Sequence, residues 1–474
     1  MESLRLCLRC VECTQSALLV PCQFRFPNGV RCFNHLELEK SRVMQWLSTL
    51  PTTASMADDS QDAATVTLQT LVQLLSMLKG RLAEPSLQAD INKRLHDPDT
   101  LPDKAILPLA TRSVNLLHEI EQMLQPSQLI LADHFLGFES SKCLVAAVSF
   151  KIPDLLARHG EMTVQQLAAA AEAREDRLRQ ILRLLRNNGI FAYNAETEGY
   201  ANNHRSELLR SDHWTQWHNW VDLYGTVFYD IARGIPDSLR RDTTRSAAQH
   251  NFDTDDDMFT YFDRRGWVPL LHRTLGGGAV AQAPGIVADY PWHELGKKTI
   301  LDVGGGSGAL IASLLRGHPE LHGGVFDLPH VIEHIQPFFE EGGKFADVGD
   351  RVAKHDLVAG DFFSTIPSYE VYVMKWCLHD WQDPEAIRIL RNIHHAMMVG
   401  EKSRLVVLES VLQDGEMGRL SRYGDINMMM TAKGLERTAD DWHRLAKEAG
   451  WMVKGIYPLR NAWVCAIDLR SSSP

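Results

Sequence analysis

Three side chains in the last third of the chain are of the types that acid–base chemistry needs. His379 lies in Met374-Lys375-Trp376-Cys377-Leu378-His379-Asp380-Trp381, Glu409 follows Leu405-Val406-Val407-Leu408, and Glu436 lies in Lys433-Gly434-Leu435-Glu436-Arg437-Thr438. An imidazole titrates near neutral pH, so it can take a proton from a much weaker acid such as a phenol as that group reacts. It does so best when a carboxylate holds its other nitrogen and fixes its tautomer. His379 and Glu409 each follow an apolar stretch, and adjacent strands would bring the two together. Either acid could instead serve a salt bridge or a helix cap, and Thr438-x-x-Asp441 itself reads as a capping box. A histidine with two acids can also hold a metal ion, but the spacing matches no metal motif and no metal is expected.

A second group of residues suits a nucleotide. Ile300-Leu301-Asp302-Val303 runs directly into Gly304-Gly305-Gly306-Ser307-Gly308, and Ala309-Leu310-Ile311 then opens a helix. Asp302, Gly304 and Gly306 are candidate cofactor contacts, because glycines allow both the tight turn and a close backbone approach. Gly304, Gly306 and Ala309 also satisfy G-x-G-x-x-A, which keeps a nicotinamide-dependent oxidoreductase open. Asp327, 19 residues beyond Gly308, ends the next apolar stretch, where an acid meets ribose hydroxyls. Asp361 and Phe362 follow the third such stretch and suit an adenine amino group and ring face, and Lys375 closes the fourth. A pyrophosphate would need the helix amino terminus, whereas S-adenosylmethionine has no phosphate and needs glycine for close approach only.

These residues require a sheet that ends at one edge. Strands are expected at Thr299–Val303, Gly324–Phe326, His355–Val358, Val371–Lys375 and Leu405–Leu408, with gaps long enough for crossover helices. Met452–Tyr457 and Ala462–Leu469 flank the short turn Pro458–Asn461 and form a closing hairpin, giving a mostly parallel seven-stranded sheet with one reversed strand. Upstream, helical periodicity is expected over Thr65–Leu82, Leu107–Leu124 and Leu129–Leu144, with a Pro- and Asp-rich connector at Asp97–Pro102. Met162–Tyr200 has the order helix, turn, helix, hairpin of a winged helix. Its second helix carries Arg174, Arg177, Arg179, Arg183 and Arg186, a face that a DNA-binding regulator would use and that a dimer interface would also tolerate. Trp214, Trp217, Trp220, Tyr224 and Phe228 open an aromatic region that is either ordinary core or partly the wall of an aromatic pocket.

The net charge of −11 disfavours nucleic acid and anionic membranes as partners, and no apolar run is long enough to span a bilayer. Cys143, Cys377 and Cys465 are isolated, as in a reducing, cytoplasmic setting. Residues 1–55 differ from the rest. Cys7, Cys10, Cys13, Cys22, Cys32 and His35 resemble half of a zinc ribbon with its second C-x-x-C pair missing, so a disordered or mis-assigned extension ahead of Met56 is expected.

Taken together, LDVGGGSG, FDLPHVI, GDFF, MKWCLHDW, LVVLES and GLERTADDWHRLAKEAGW resemble the class I O-methyltransferases of the caffeic acid and fungal polyketide type. The likeness covers about residues 290–474 and extends more weakly back to about residue 120. It implies an α/β Rossmann-like catalytic domain at 211–474 and a mainly helical winged-helix dimerisation domain at 56–210. It also implies a metal-independent homodimer acting on a small phenolic secondary metabolite with S-adenosyl-L-methionine. By the same resemblance His379 would be the general base flanked by Glu409 and Glu436, while Asp327, Asp361, Phe362 and Lys375 would meet the cofactor. The aromatics of residues 213–275 do not match a plant phenylpropanoid site, which leaves the substrate open. A DNA-binding winged helix and an NAD(P)-dependent oxidoreductase are the rival readings; neither gives a role to LHDW with two downstream acids.

Overall fold

Strands β4 (Thr299–Val303), β7 (Val371–Lys375) and β8 (Arg404–Glu409) are mostly apolar at successive positions, as strands covered on both faces must be, and β5 (His322–Asp327) and β6 (Leu357–Ala359) extend them toward one edge. Alternate residues enter two separate cores. Ile300, Val371, Val373, Val406 and Leu408 face one side, while Leu301, Val303, Tyr372, Met374, Leu405 and Val407 face the other. Helices Ala309–Gly317 and Pro329–Ile335 add to the first core, and Asp383–Ala396 and Ala439–Glu448 to the second. The structure, a computed structural model, describes residues 60–472. The expectations for the cysteine-rich segment and for Met56 lie outside the described residues.

With β11 (Trp451–Pro458) and β12 (Cys465–Ser471) the sheet has seven strands in the order β11-β12-β8-β7-β4-β5-β6. Contacts among β4 to β8 are parallel, and β12 runs antiparallel to both β8 and β11. Chain order reverses at β4, whose neighbours are β5 and β7, so a crevice opens there at the carboxyl ends of the strands. The closing hairpin departs from expectation: β12 starts at Cys465, because Ala462–Val464 stay in a longer turn. There Trp463 donates its backbone N–H to Gln282 and packs on Trp217 and Trp220. A two-stranded parallel sheet of β9 (Val411–Leu412) and β10 (Arg437–Thr438) was not foreseen.

In the amino-terminal part, Ser60–Leu82 is a helix in a unit of its own, and Pro85 onward forms the second unit. Pro85–Leu95 is a further helix for which the sequence carried no expectation, and the expected connector at Asp97–Pro102 follows it. The helix opens on a proline, whose fixed φ suits a helix start. Leu107–Leu124 and Ser127–Ser149 are long helices. Residues 162–202 show the expected order: helix Val164–Ala170, helix Glu175–Asn187, then an antiparallel hairpin of β2 (Phe191–Asn194) and β3 (Gly199–Asn202), joined by β1 (Met162–Thr163). Leu167, Leu178, Leu182, Leu185 and Phe191 form its core. On its second helix Arg174, Arg177 and Arg179 already pair with Asp176 and Glu175, which offsets the positive face that a DNA-reading helix would present.

Helix Val268–Asp289 abuts the turn before β12 so closely that a Cβ on Gly285 would lie 1.8 Å from the Arg460 carbonyl oxygen. Gly276 on the same helix has open space around it. We therefore expect Gly285→Ala to cost about 1–3 kcal/mol by overpacking and Gly276→Ala to gain up to about 1 kcal/mol in helix propensity. Thermal denaturation of the two variants should shift in opposite directions.

Candidate active site

Two segments converge on the crevice beside β4. At the first, Gly304, Gly306 and Gly308 have φ of 73°, 53° and 72°, a left-handed backbone that favours glycine. Asp327 braces this loop by accepting the Gly306 N–H at 2.9 Å, and its other oxygen accepts the Leu328 N–H at 2.7 Å. Expected at a ribose, the carboxylate thus also shapes the loop, and each oxygen retains a lone pair. Asp302 is buried, with Oδ1 unpartnered; burial, aided by nearby Asp327 and opposed by Lys375, pushes its carboxyl up to about 7. Lys375 is pulled down to about 8 by burial, against the pull of Glu409 and Asp302, and its Nζ lies 3.6 Å from the centre of the Trp376 ring. Phe362 packs on Phe363 and Trp381, while the exposed Asp361 accepts the Phe363 N–H at 2.8 Å.

The second segment begins where β7 ends. Trp376 has φ 49°, which costs a non-glycine residue roughly 1–2 kcal/mol and turns the chain sharply off the strand. The single turn Leu378–Asp380 follows, with His379 almost wholly buried. His379 Nδ1 lies 2.9 Å from Glu436 Oε1 and 3.4 Å from Glu409 Oε2. Glu409 Oε1 in turn accepts the N–H groups of Cys377 and Leu378 at 2.8 and 2.9 Å. The expected proximity of Glu409 is therefore observed. That of Glu436 arises from β9 and β10, which run parallel just beyond Glu409 and just after Glu436. With Nδ1 as the donor in its hydrogen bond to Glu436, Nε2 is left as the exchangeable site. Asp380 Oδ1 stands 3.8 Å from Nε2.

Histidine's ordinary range, assumed from sequence, does not hold here. Burial lowers the pKa of His379, but Glu409, the Glu436 hydrogen bond and Asp380 overcome this and push it up to about 10. Burial moves the other groups the opposite way: Glu409 is raised despite its two N–H donors, and Asp380 is pushed up to about 6. The surrounding acids therefore favour the protonated imidazole over the neutral one. Ligand atoms of His379, Glu409 and Glu436 lie within 4.8 Å of one another, so a cation could also be held there.

Trp220 and Tyr224, read from sequence as either core or pocket wall, stack behind this turn with Trp376 and Trp463, whose part the sequence did not show. Trp220 packs on Trp463, Tyr224 and Trp376 at centroid distances of 4.7, 5.4 and 6.2 Å. Burial and then the charge of Glu436 hold the Tyr224 hydroxyl well above the usual phenol range, so this ring reaches toward the acids.

Comparison with known proteins identifies the family. The O-methyltransferase domain family matches residues 292–452, and the O-methyltransferase dimerisation domain matches residues 132–212. O-methyltransferase aclM of Aspergillus oryzae is 56% identical over 423 residues, covering 89% of this chain and 98% of that protein. Among solved structures, CalO1, a methyltransferase in calicheamicin biosynthesis, in its S-adenosylhomocysteine-bound form, superposes with TM-score 0.63 at 25% identity over 73% of this chain and 98% of that one. NcsB1, an O-methyltransferase from neocarzinostatin biosynthesis solved with S-adenosylmethionine and 2-hydroxy-5-methyl naphthoic acid, gives TM-score 0.52 at 26% identity over 70% and 95%. The chain belongs to the O-methyltransferase family, and S-adenosylmethionine is its cofactor. The left-handed glycine loop, the open space beside Gly306 and the unpartnered Asp302 oxygen fit such a group.

The charge balance has a measurable consequence for stability. The folded pKa of His379 is above its free value of 6.5, so the stabilisation is complete below pH 6.5 and is lost as pH rises through about 10. Chemical denaturation from pH 6 to 10 should show the wild type losing more stability than His379→Gln. Equal losses would remove the imidazolium from the account.

Proposed function

We propose that the enzyme methylates a phenolic hydroxyl of a small aromatic secondary metabolite, of polyketide type, with His379 as general base. The observation that carries this reading is the Nδ1–Glu436 hydrogen bond, which would fix the tautomer and leave Nε2 to take the acceptor's proton. When bound, S-adenosylmethionine supplies an electrophilic methyl on a positively charged sulfur, and repulsion by that charge favours the neutral form of His379. Glu409 and Glu436 then stabilise the imidazolium that forms as the phenol gives up its proton. Asp302, Gly304, Gly306, Asp327, Asp361, Phe362 and Lys375 would hold the cofactor. The Trp220–Tyr224–Trp376 stack would form the flat wall an aromatic acceptor needs. The aromatic naphthoic acid bound in NcsB1 supports that class of substrate.

We read the acid cluster as holding a proton and no metal, because the His379 nitrogen that faces both acids, Nδ1, is hydrogen-bonded to Glu436 Oε1. Residues 56–210 would form the dimerisation domain and 211–474 the catalytic domain. Leu116, Leu117, Met123, Leu131, Phe135 and Phe138 are exposed on the helices Leu107–Leu124 and Ser127–Ser149, an apolar surface suited to a second copy of this chain. Among the described residues no helix is long and apolar enough to cross a membrane. The free thiols Cys143, Cys377 and Cys465 suit a cytoplasmic enzyme, with neither nucleic acid nor membrane as partner.

His379→Ala tests the base directly. Turnover of a phenolic acceptor should fall about 10²- to 10⁴-fold. Affinity for S-adenosylhomocysteine, read by calorimetry, should stay within about threefold. Retained turnover would refute the assignment.

A further inference from the structure

The turn that carries His379 is weak on its own terms. It is one helical turn, closed by long bonds from Asp380 N–H to the Cys377 carbonyl at 3.3 Å and from Trp381 N–H to the Leu378 carbonyl at 3.2 Å. It also follows the strained Trp376. A short helix leaves N–H groups unsatisfied at its start and carbonyls at its end. Glu409 answers the first need by accepting the N–H groups of Cys377 and Leu378. Arg437 answers the second. Its guanidinium, in a residue only 1% exposed, donates Nη1 to the Leu378 carbonyl at 3.2 Å and Nη2 to the Trp381 carbonyl at 2.8 Å. Its Nε donates to Asp383 at 3.0 Å, which fixes the fork against the next helix.

The same segment grips the turn elsewhere. Leu435 N–H donates to the His379 carbonyl at 2.9 Å, and a Cβ on Gly434 would lie 1.9 Å from that oxygen. The charges that govern the His379 imidazole are the carboxylates of Glu409, Glu436 and Asp380. Arg437 therefore reaches the reaction through geometry.

We propose that Arg437 is a positioning residue for methyl transfer: its planar fork closes the carbonyl end of the His379 turn and keeps Nε2 aimed into the cleft. This rests on the reading of His379 as base. A lysine can keep the charge and one bond but cannot span two carbonyls and a carboxylate as a guanidinium does. A small misplacement of a catalytic group costs up to about 100-fold in rate, so Arg437→Lys should lower kcat about 10- to 100-fold. The KM for S-adenosylmethionine and the affinity for S-adenosylhomocysteine should stay within about threefold, and the pH at which the rate rises should not move.

The experiment measures kcat, KM and the pH–rate profile of Arg437→Lys per S-adenosylhomocysteine-binding site, beside His379→Ala. The expected result is a loss in kcat alone. A kcat within about fivefold of wild type, binding lost together with turnover, or a limb displaced by about one pH unit would each overturn the proposal. An active His379→Ala would remove the base reading itself. An inactive His379→Ala with unimpaired Arg437→Lys would remove only the role of Arg437.

Discussion

One buried contact, His379 against Glu409 and Glu436, sets the terms for the carboxyl-terminal half of this fold. Two carboxylates and an imidazole out of water are tolerable only as a paired and hydrogen-bonded set. The Glu409 carboxylate is accordingly anchored by two N–H donors from the turn it faces, and the segment of Glu436 is tied down by its own N–H, donated to the Asp425 carboxylate. The short pairing of β9 with β10 follows from the same need, since it holds the two acid-bearing segments in register. The sheet supplies the frame, and the acid pair decides where its loops must go.

The cofactor half obeys a different constraint. There the backbone has to come close, so the loop is built of left-handed glycines and braced by a single carboxylate, Asp327. Between the two halves lie Lys375 and Trp376, and the strain at Trp376 is what allows one strand end to serve both. The Trp376 ring, under the Lys375 ammonium and edge-on to Trp220, ties that strained residue to the aromatic stack.

Much of this was legible in the sequence, and for identifiable reasons. Strands buried on both faces print continuous apolar runs, so β4, β7 and β8 were evident, and with them the strand-end positions of Lys375 and Glu409. The glycines announced their own turn. The meeting of Glu436 with His379 was beyond periodicity, because it depends on strands of two residues each, and spacing gave only a candidate. Family resemblance supplied what periodicity could not. The raised pKa of His379 is a property of three neighbouring acids in space, and no local pattern encodes it. The turn before β12 was misjudged because Trp463 packs on other aromatics in preference to joining the strand.

An open sheet invites a neighbouring molecule to add a strand at either edge. Here one edge is β6, only three residues long, and the other is β11, whose register breaks between Val453 and Gly455. Neither offers a long, flat ladder of unpaired backbone groups. Strand addition by a neighbouring molecule is thus discouraged at both rims of the sheet without recourse to a barrel.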